Sequence, residues 1–255
     1  MKSALSFLPP DMLTVLLPLI LTYMRVQAII LVLPAFSARI LPARLRVGLA
    51  MALCPFAAIL APEHHRADDL ALLAFAIVAL KELFLGVIVA LPVRLITFAL
   101  HTASSAIGAT ASLSQLIGTG TEAAPHPIGN LFHLAGLALL MALGLPVMLI
   151  EMIVHSYLVF PPGFSVDVVL QVHAVVGLVG QSFVLAMALA SPFILGGLLY
   201  QLLTAVVNRV MPTLPVVFIG APAIILMALI GLAVLSPGIL QIWADTVLGA
   251  GALPR

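Results

Sequence analysis

The sequence predicts an all-α integral membrane protein, and three observations carry that expectation. Of 255 residues, 64% are hydrophobic and only 7% charged, against about 25% charged residues in a soluble domain, and the mean hydropathy is +1.30. Charge-poor apolar runs such as Val47 to Pro62, Ala123 to Ile150 and Val168 to Asn208 approach or exceed the roughly 20 residues that carry a helix across a bilayer core of about 30 Å. These runs are rich in Leu, Ala, Met and Ile without period-two alternation, which favours helices over the short alternating strands of a membrane barrel.

Breakers and charges place helices near 12–34, 45–62, 69–100, 128–159, 168–208 and 214–243, in a single membrane-embedded domain covering 1–255 with no soluble domain between them. Ahead of the first helix, Lys2 is followed by Pro9, Pro10 and Asp11, and no small-residue cleavage site precedes Arg25, so the N-terminal run is expected to stay rather than act as a cleaved signal. The connection "PAFSARILPARLR", Pro34 to Arg46, gathers Arg39, Arg44 and Arg46. The positive-inside rule keeps such a connection on the cytoplasmic side and the N-terminus outside. The second helix holds the lone cysteine, Cys54, which has no partner for an internal disulfide and reads as a small buried hydrophobe.

The third run carries Lys81, Glu82 and Arg94 well inside it. Such charges are costly in lipid unless they are paired or face protein or water. Lys81 and Glu82 are adjacent, so they point about 100° apart on a helix and each needs a partner elsewhere. Interhelical or inter-subunit ion pairing is the structural reading and an ion or proton pathway the functional one; Arg25 takes the same two readings. Glu151 and His155 stand four apart on one face of the 128–159 run, but the remaining histidines show no clustering with metal-ligand spacing.

The run Val168 to Asn208 holds no charge and would extend about 60 Å as a straight helix, twice the hydrocarbon thickness. It must bend, break or leave the bilayer, and Pro192 with Gly196 and Gly197 offers the place for it. Between the third and fourth runs lies "SSAIGATASLSQLIGTGTEAAPHPIGN", Ser104 to Asn130, small and neutral apart from Glu122. One reading is close packing of small residues between membrane helices. The other is a re-entrant or broken segment buried in protein or lining a water-filled path, with Leu113, Leu116 and Ile117 as a constriction that excludes water.

Several function classes lose their footing. A net charge of +1 gives no electrostatic case for nucleic acid. No activated serine, paired intramembrane aspartates, Walker A loop or dinucleotide fingerprint occurs in the sequence, so no catalysis and no cofactor is expected.

Three stretches resemble one family, the R-type subunit of the flagellar export gate (FliR) and its virulence-secretion counterparts (SctT). The first is "PAFSARILPARLRVGLA", through Pro34, Phe36, Pro42, Arg44 and Arg46. The second is "KELFLGVIVALPVRLITFAL", where Lys81, Glu82 and Gly86 match a Lys-Glu-x-x-x-Gly helix. The third is "NRVMPTLPVVFIGAPAI", through Arg209, Pro212, Leu214, Phe218, Gly220 and Pro222, with Thr213 where the family usually has Gln. The resemblance implies long kinked helices and helical hairpins forming one subunit of a helical export-gate spiral in the bacterial inner membrane, within the flagellar basal body. It implies P-type and Q-type subunits as partners, together with the B-type and A-type export apparatus subunits and unfolded export substrates, in contact with membrane lipid. It also implies a plug-like segment over 104–125 containing Leu113, Gln115, Leu116, Ile117 and Gly118. Arg25, Lys81, Glu82, Arg94 and Arg209 would then serve subunit contacts. The homologous virulence subunit is one alternative, and a stand-alone secondary transporter or channel another; the latter predicts inverted repeats, which the sequence does not display.

Overall fold

A computed structural model describes residues 10–37, 41–60, 72–110, 127–162, 168–211 and 216–251. Among these residues the regular structure is helical throughout: α1 (Pro10–Val32), α2 (Ala43–Ile59), α3 (Leu72–Thr110), α4 (Pro127–Ala142), α5 (Leu145–Val159), α6 (Val168–Val210) and α7 (Val216–Gly251). Windows of α1, α3, α6 and α7 are each long and apolar enough to cross a membrane. The all-α membrane class expected from composition is the one found.

Three boundaries depart from the sequence reading. The third helix runs ten residues beyond the expected end at Leu100, to Thr110, because Ser104, Ser105 and Thr110 return their hydroxyls to carbonyls of their own helix. Small hydroxyl residues are thereby accommodated in an apolar helix instead of ending it. The expected single run over 128–159 is two helices, α4 and α5, broken at Leu143 and Gly144. Gly144 has φ +108° and is the N-cap of α5, a backbone state that a side chain rarely tolerates. Pro146 follows within the first turn of α5, where a missing N–H costs nothing. The last helix extends to Gly251 rather than residue 243. α6, by contrast, continues as helix through Pro192 for 43 residues, so this run does not break there.

The chain divides into two compact units, one comprising residues 1–94, 143–176 and 248–255, the other 95–142 and 177–247. In the first, α1 is the hub. It packs against α2 and α5, and its Leu17 and Leu21 meet Phe75, Val78 and Ala79 of α3. From Leu21 to Ile30 every turn of α1 carries buried residues, including Val26, Ala28, Ile29 and Ile30. Its end is closed by Pro34-Ala35-Phe36, where the Phe36 N–H donates to the Pro34 carbonyl at 2.9 Å and Ser37 N–H to Leu33 at 3.0 Å. Ala35 takes φ +65° to make that turn, a three-residue turn of the strained hand.

The second unit is assembled through small residues. Gly136 of α4 lies against Leu100 and the fully buried Trp243 of α7. Gly220 of α7 faces Tyr200 of α6, and Gly231 faces Phe193, so α6 and α7 lie side by side and antiparallel. Without a hydrophobic driving force between helices in lipid, close backbone approach and side-chain hydrogen bonds provide the adhesion. Ser182 supplies one such bond, its hydroxyl donating from α6 to the Leu95 carbonyl of α3 at 2.7 Å.

Gly86 offers a test of this packing. A Cβ there would fall 2.5 Å from the Arg25 carbonyl and 2.7 Å from the Ala28 Cβ, so Gly86→Ala is expected to destabilise by about 1–3 kcal/mol through overpacking and to lower the thermal midpoint of the detergent-purified protein. Gly180→Ala, whose Cβ meets nothing within 4 Å, should leave that midpoint unchanged or raise it. Equal losses in the two variants would count against the close approach of α1 and α3.

Candidate functional site

The charges that composition makes costly converge on Arg25. This side chain sits about two-thirds of the way along α1 with 0% exposure, and its Nε donates to Glu82 Oε2 of α3 at 2.6 Å, the carboxylate being 2% exposed. Its Nη1 donates to two backbone carbonyls at the C-terminal end of α5, Ser156 at 3.1 Å and Phe160 at 2.8 Å. The guanidinium also lies over the Tyr157 ring, with Cζ 4.1 Å from the centroid. One cation therefore balances a buried carboxylate, caps the negative end of a helix and rests on an aromatic face. A guanidinium has the planar, multi-donor geometry for this and an ammonium does not.

Arg94 repeats the device. It is half-buried on α3 and donates through Nη1 to the Val32 carbonyl at 3.1 Å and to the Ser37 hydroxyl at 3.0 Å. These are the last residue of α1 and the turn that follows it. Two arginines inside apolar helices thus serve as C-caps for other helices.

This geometry explains the spacing of the Lys-Glu-x-x-x-Gly stretch. Glu82 and Gly86 are four apart and share one face of α3; Gly86 lets the α1 backbone come close enough for Glu82 to reach Arg25. Lys81, one residue away, points outward and is exposed. Arg209 is exposed in the last turn of α6. Among the family-motif residues, Pro34 and Phe36 are buried in the turn after α1, Arg44 is exposed at the start of α2, and Arg46 donates to the Leu41 carbonyl at 2.8 Å, just before Pro42, the N-cap of α2. Gly220 is buried and Pro222 exposed on α7, which also carries Phe218. Pro212, and the segment residues Leu113, Gln115, Leu116, Ile117 and Gly118, lie outside the described residues.

Sequence reasoning did not find Tyr157, the Ser156 and Phe160 carbonyls or Ser37 as partners, since they lie 57 or more residues from the arginines they serve. It also passed over His101 and His133, whose rings meet edge to face at 5.2 Å between α3 and α4. Glu151 is exposed and His155 half-buried on α5, and among the described residues no group of three or more His, Cys, Asp or Glu side chains is placed to hold a metal ion. Near the end of α3, Thr110 borders a cavity of about 170 Å³ walled by Phe193, Gly196, Gly197, Ile224 and Met227.

Removing either member of the buried pair strands the other. Arg25→Gln and Glu82→Gln are each expected to destabilise by about 3–5 kcal/mol, read as the shift in the unfolding transition of the purified protein. The double variant should lose less than the sum of the two; strictly additive losses would show that the two charges do not depend on each other.

The sequence matches a family model described as bacterial export proteins, family 1, over residues 16–249. It is similar to the flagellar biosynthetic protein FliR of Caulobacter vibrioides, 31% identical over 232 residues, which covers 88% of this chain and 90% of that protein. It is similar also to the flagellar biosynthetic protein FliR of Aquifex aeolicus, 28% identical over 222 residues, covering 86% of this chain and 84% of the relative. With a family match across most of its length and a relative of this identity aligned nearly end to end, the chain belongs to the bacterial export proteins of family 1.

Proposed function

We propose that the chain is a flagellar biosynthetic export protein of the FliR type, a membrane-embedded subunit of the type III export gate through which unfolded flagellar proteins leave the cytoplasm. The observation that carries this reading is the near full-length similarity to two proteins of that name. The same names favour the flagellar system over the virulence-type counterpart.

In this reading the protein sits in the bacterial inner membrane at the flagellar basal body and works by conducting and sealing, not by catalysis. P-type and Q-type gate subunits are its immediate neighbours, and the B-type and A-type subunits complete the apparatus. The need for neighbours is supported by α7: in an 18-residue apolar window within Pro222–Gly251, only 6% is buried within the chain. On α6, Leu198, Leu199, Leu202, Leu203 and Val206 are all exposed, a continuous apolar surface that lipid or partner helices must cover. The exposed Lys81 and Arg209 would serve contacts with those subunits, while Arg25, Glu82 and Arg94 hold the subunit's own shape. The stretch beyond Thr110, with Leu113, Gln115, Leu116, Ile117 and Gly118, would form the closing element of the path.

Deleting the gene should abolish swimming and the appearance of flagellar substrates outside the cell; normal motility and secretion in the deletion strain would refute the reading. Removing residues Ser112 to Thr121 should instead let small ions leak across the membrane of cells expressing the assembled gate. An ion permeability equal to that of the unaltered protein would rule out a sealing role for this stretch.

A further inference from the structure

Helix α5 buries one side and leaves the other bare. Met148, Leu149, Met152, Ile153 and Ser156 recur at helical spacing and are buried, and this inner side gives the Ser156 carbonyl to Arg25. The outward stripe is Val147, Glu151, Val154 and Leu158, at i, i+4, i+7 and i+11, with Ile150 and His155 beside it. Val147 is 60% exposed and Leu158 72%. At the centre of this aliphatic surface stands Glu151, exposed, about 9 Å from the start of the helix and about 12 Å from its end. It makes no hydrogen bond or ion pair among the described residues.

Exposed Val, Ile and Leu, on a helix that forms a broken apolar span with α4, mark a surface that lipid or protein covers. Whatever covers it takes Glu151 out of water as well. Acyl chains cannot answer a carboxylate, and a wholly apolar helix strands it equally. A second copy related by a two-fold axis would set like face against like face and bring two carboxylates together. The complement of this face is therefore a helix that is apolar along its length and carries a cation opposite Glu151.

His155 narrows the choice of cation. It lies one turn beyond Glu151 on the same side, half-buried, and it too has no hydrogen bond or ion pair among the described residues, so the carboxylate and the imidazole are not spent on each other. An ammonium is a compact point charge, whereas the guanidinium fork can give two N–H groups to a carboxylate and a third to an imidazole nitrogen nearby. Arg25 already works in this manner inside the chain, dividing its N–H groups between Glu82 and the carbonyls of another helix.

We propose that the outward face of α5 docks a membrane helix of a neighbouring subunit, with an arginine of that helix seated between Glu151 and His155. Val147, Ile150 and Leu158 form the apolar rim that keeps water from the ion pair, as uncharged surroundings do at the centre of a protein interface. The proposal rests on the export-gate reading for the neighbour being another subunit of the same assembly.

The test places a photo-crosslinking benzoylphenylalanine at Val147 or at Leu158 in the full chain, expressed in the deletion strain, and sequences the adducts formed in intact cells. Both positions should give adducts with another membrane subunit, on a helix with an arginine within one turn of the crosslinked residue. Adding Glu151→Lys, which sets two cations together, should lower the adduct yield by about thirtyfold, the smaller loss seen when one partner of a desolvated charge pair is removed. Glu151→Gln should also lower it, and Glu151→Asp should restore part of it. The thermal midpoint of the purified subunit should be the same in all three variants and the unaltered protein, because Glu151 has no partner within its own chain. Adducts with lipid alone or with a second copy of this chain would overturn the proposal. So would an adduct helix without an arginine, or a yield that Glu151→Lys leaves unchanged. Recovery of swimming by the unaltered chain in the same strain tests the export-gate reading separately, so the two can fail independently.

Discussion

The guanidinium of Arg25 is the constraint on which the first unit of this protein depends. A charge at this depth in an apolar helix is tolerable only if its surroundings are fixed, and four groups fix them: the Glu82 carboxylate, the Ser156 and Phe160 carbonyls and the Tyr157 ring. Because those groups come from α3 and α5 while the guanidinium comes from α1, satisfying one ion specifies how three helices lie against one another. A hydrophobic replacement of the same volume can be as stable, but it would not state which face of α3 must meet which turn of α1. The arginine contributes register more than net stability.

Around that fixed point the rest of the packing is made of small residues. Gly86 sits one turn from Glu82 and admits the α1 backbone; Gly136, Gly220 and Gly231 do the equivalent work in the second unit against Trp243, Tyr200 and Phe193. In lipid, where apolar contact between helices gains little over contact with acyl chains, such close approach is what dispersion and weak polar contacts require. The outward faces of α6 and α7 keep large aliphatic side chains instead. A subunit built this way holds its own shape through charge and glycine and presents plain hydrocarbon to lipid and to partner helices, which suits a component of a larger membrane assembly.

Much of this was legible in the sequence, and the reasons for what was not are physical. Charge scarcity and apolar run length announced the membrane helices, and the cost of burying Arg25, Glu82 and Arg94 announced that they must have partners. The identity of those partners was invisible because they are distant in the chain, and two of them are backbone carbonyls with no sequence signature at all. The extension of α3 to Thr110 was hidden because serine and threonine look like loop residues until their hydroxyls fold back onto the helix. The break at Gly144 was hidden by its setting, since "ALGLPV" lies in an unbroken apolar run where glycine and proline are both common in membrane helices. The Lys-Glu-x-x-x-Gly spacing was recognisable as a pattern, but its meaning, a carboxylate and a gap on the same helical face, required the structure.

Arg25 ties α1, α3 and α5 into one preformed body within the isolated chain. Hydrogen–deuterium exchange of the purified subunit, without partners, tests it most directly. Amides of residues 21–30, 82–94 and 152–160 should exchange slowly in the unaltered protein and lose that protection together in Arg25→Gln. Fast exchange of these amides in the isolated subunit, or a loss confined to α1 alone, would contradict it.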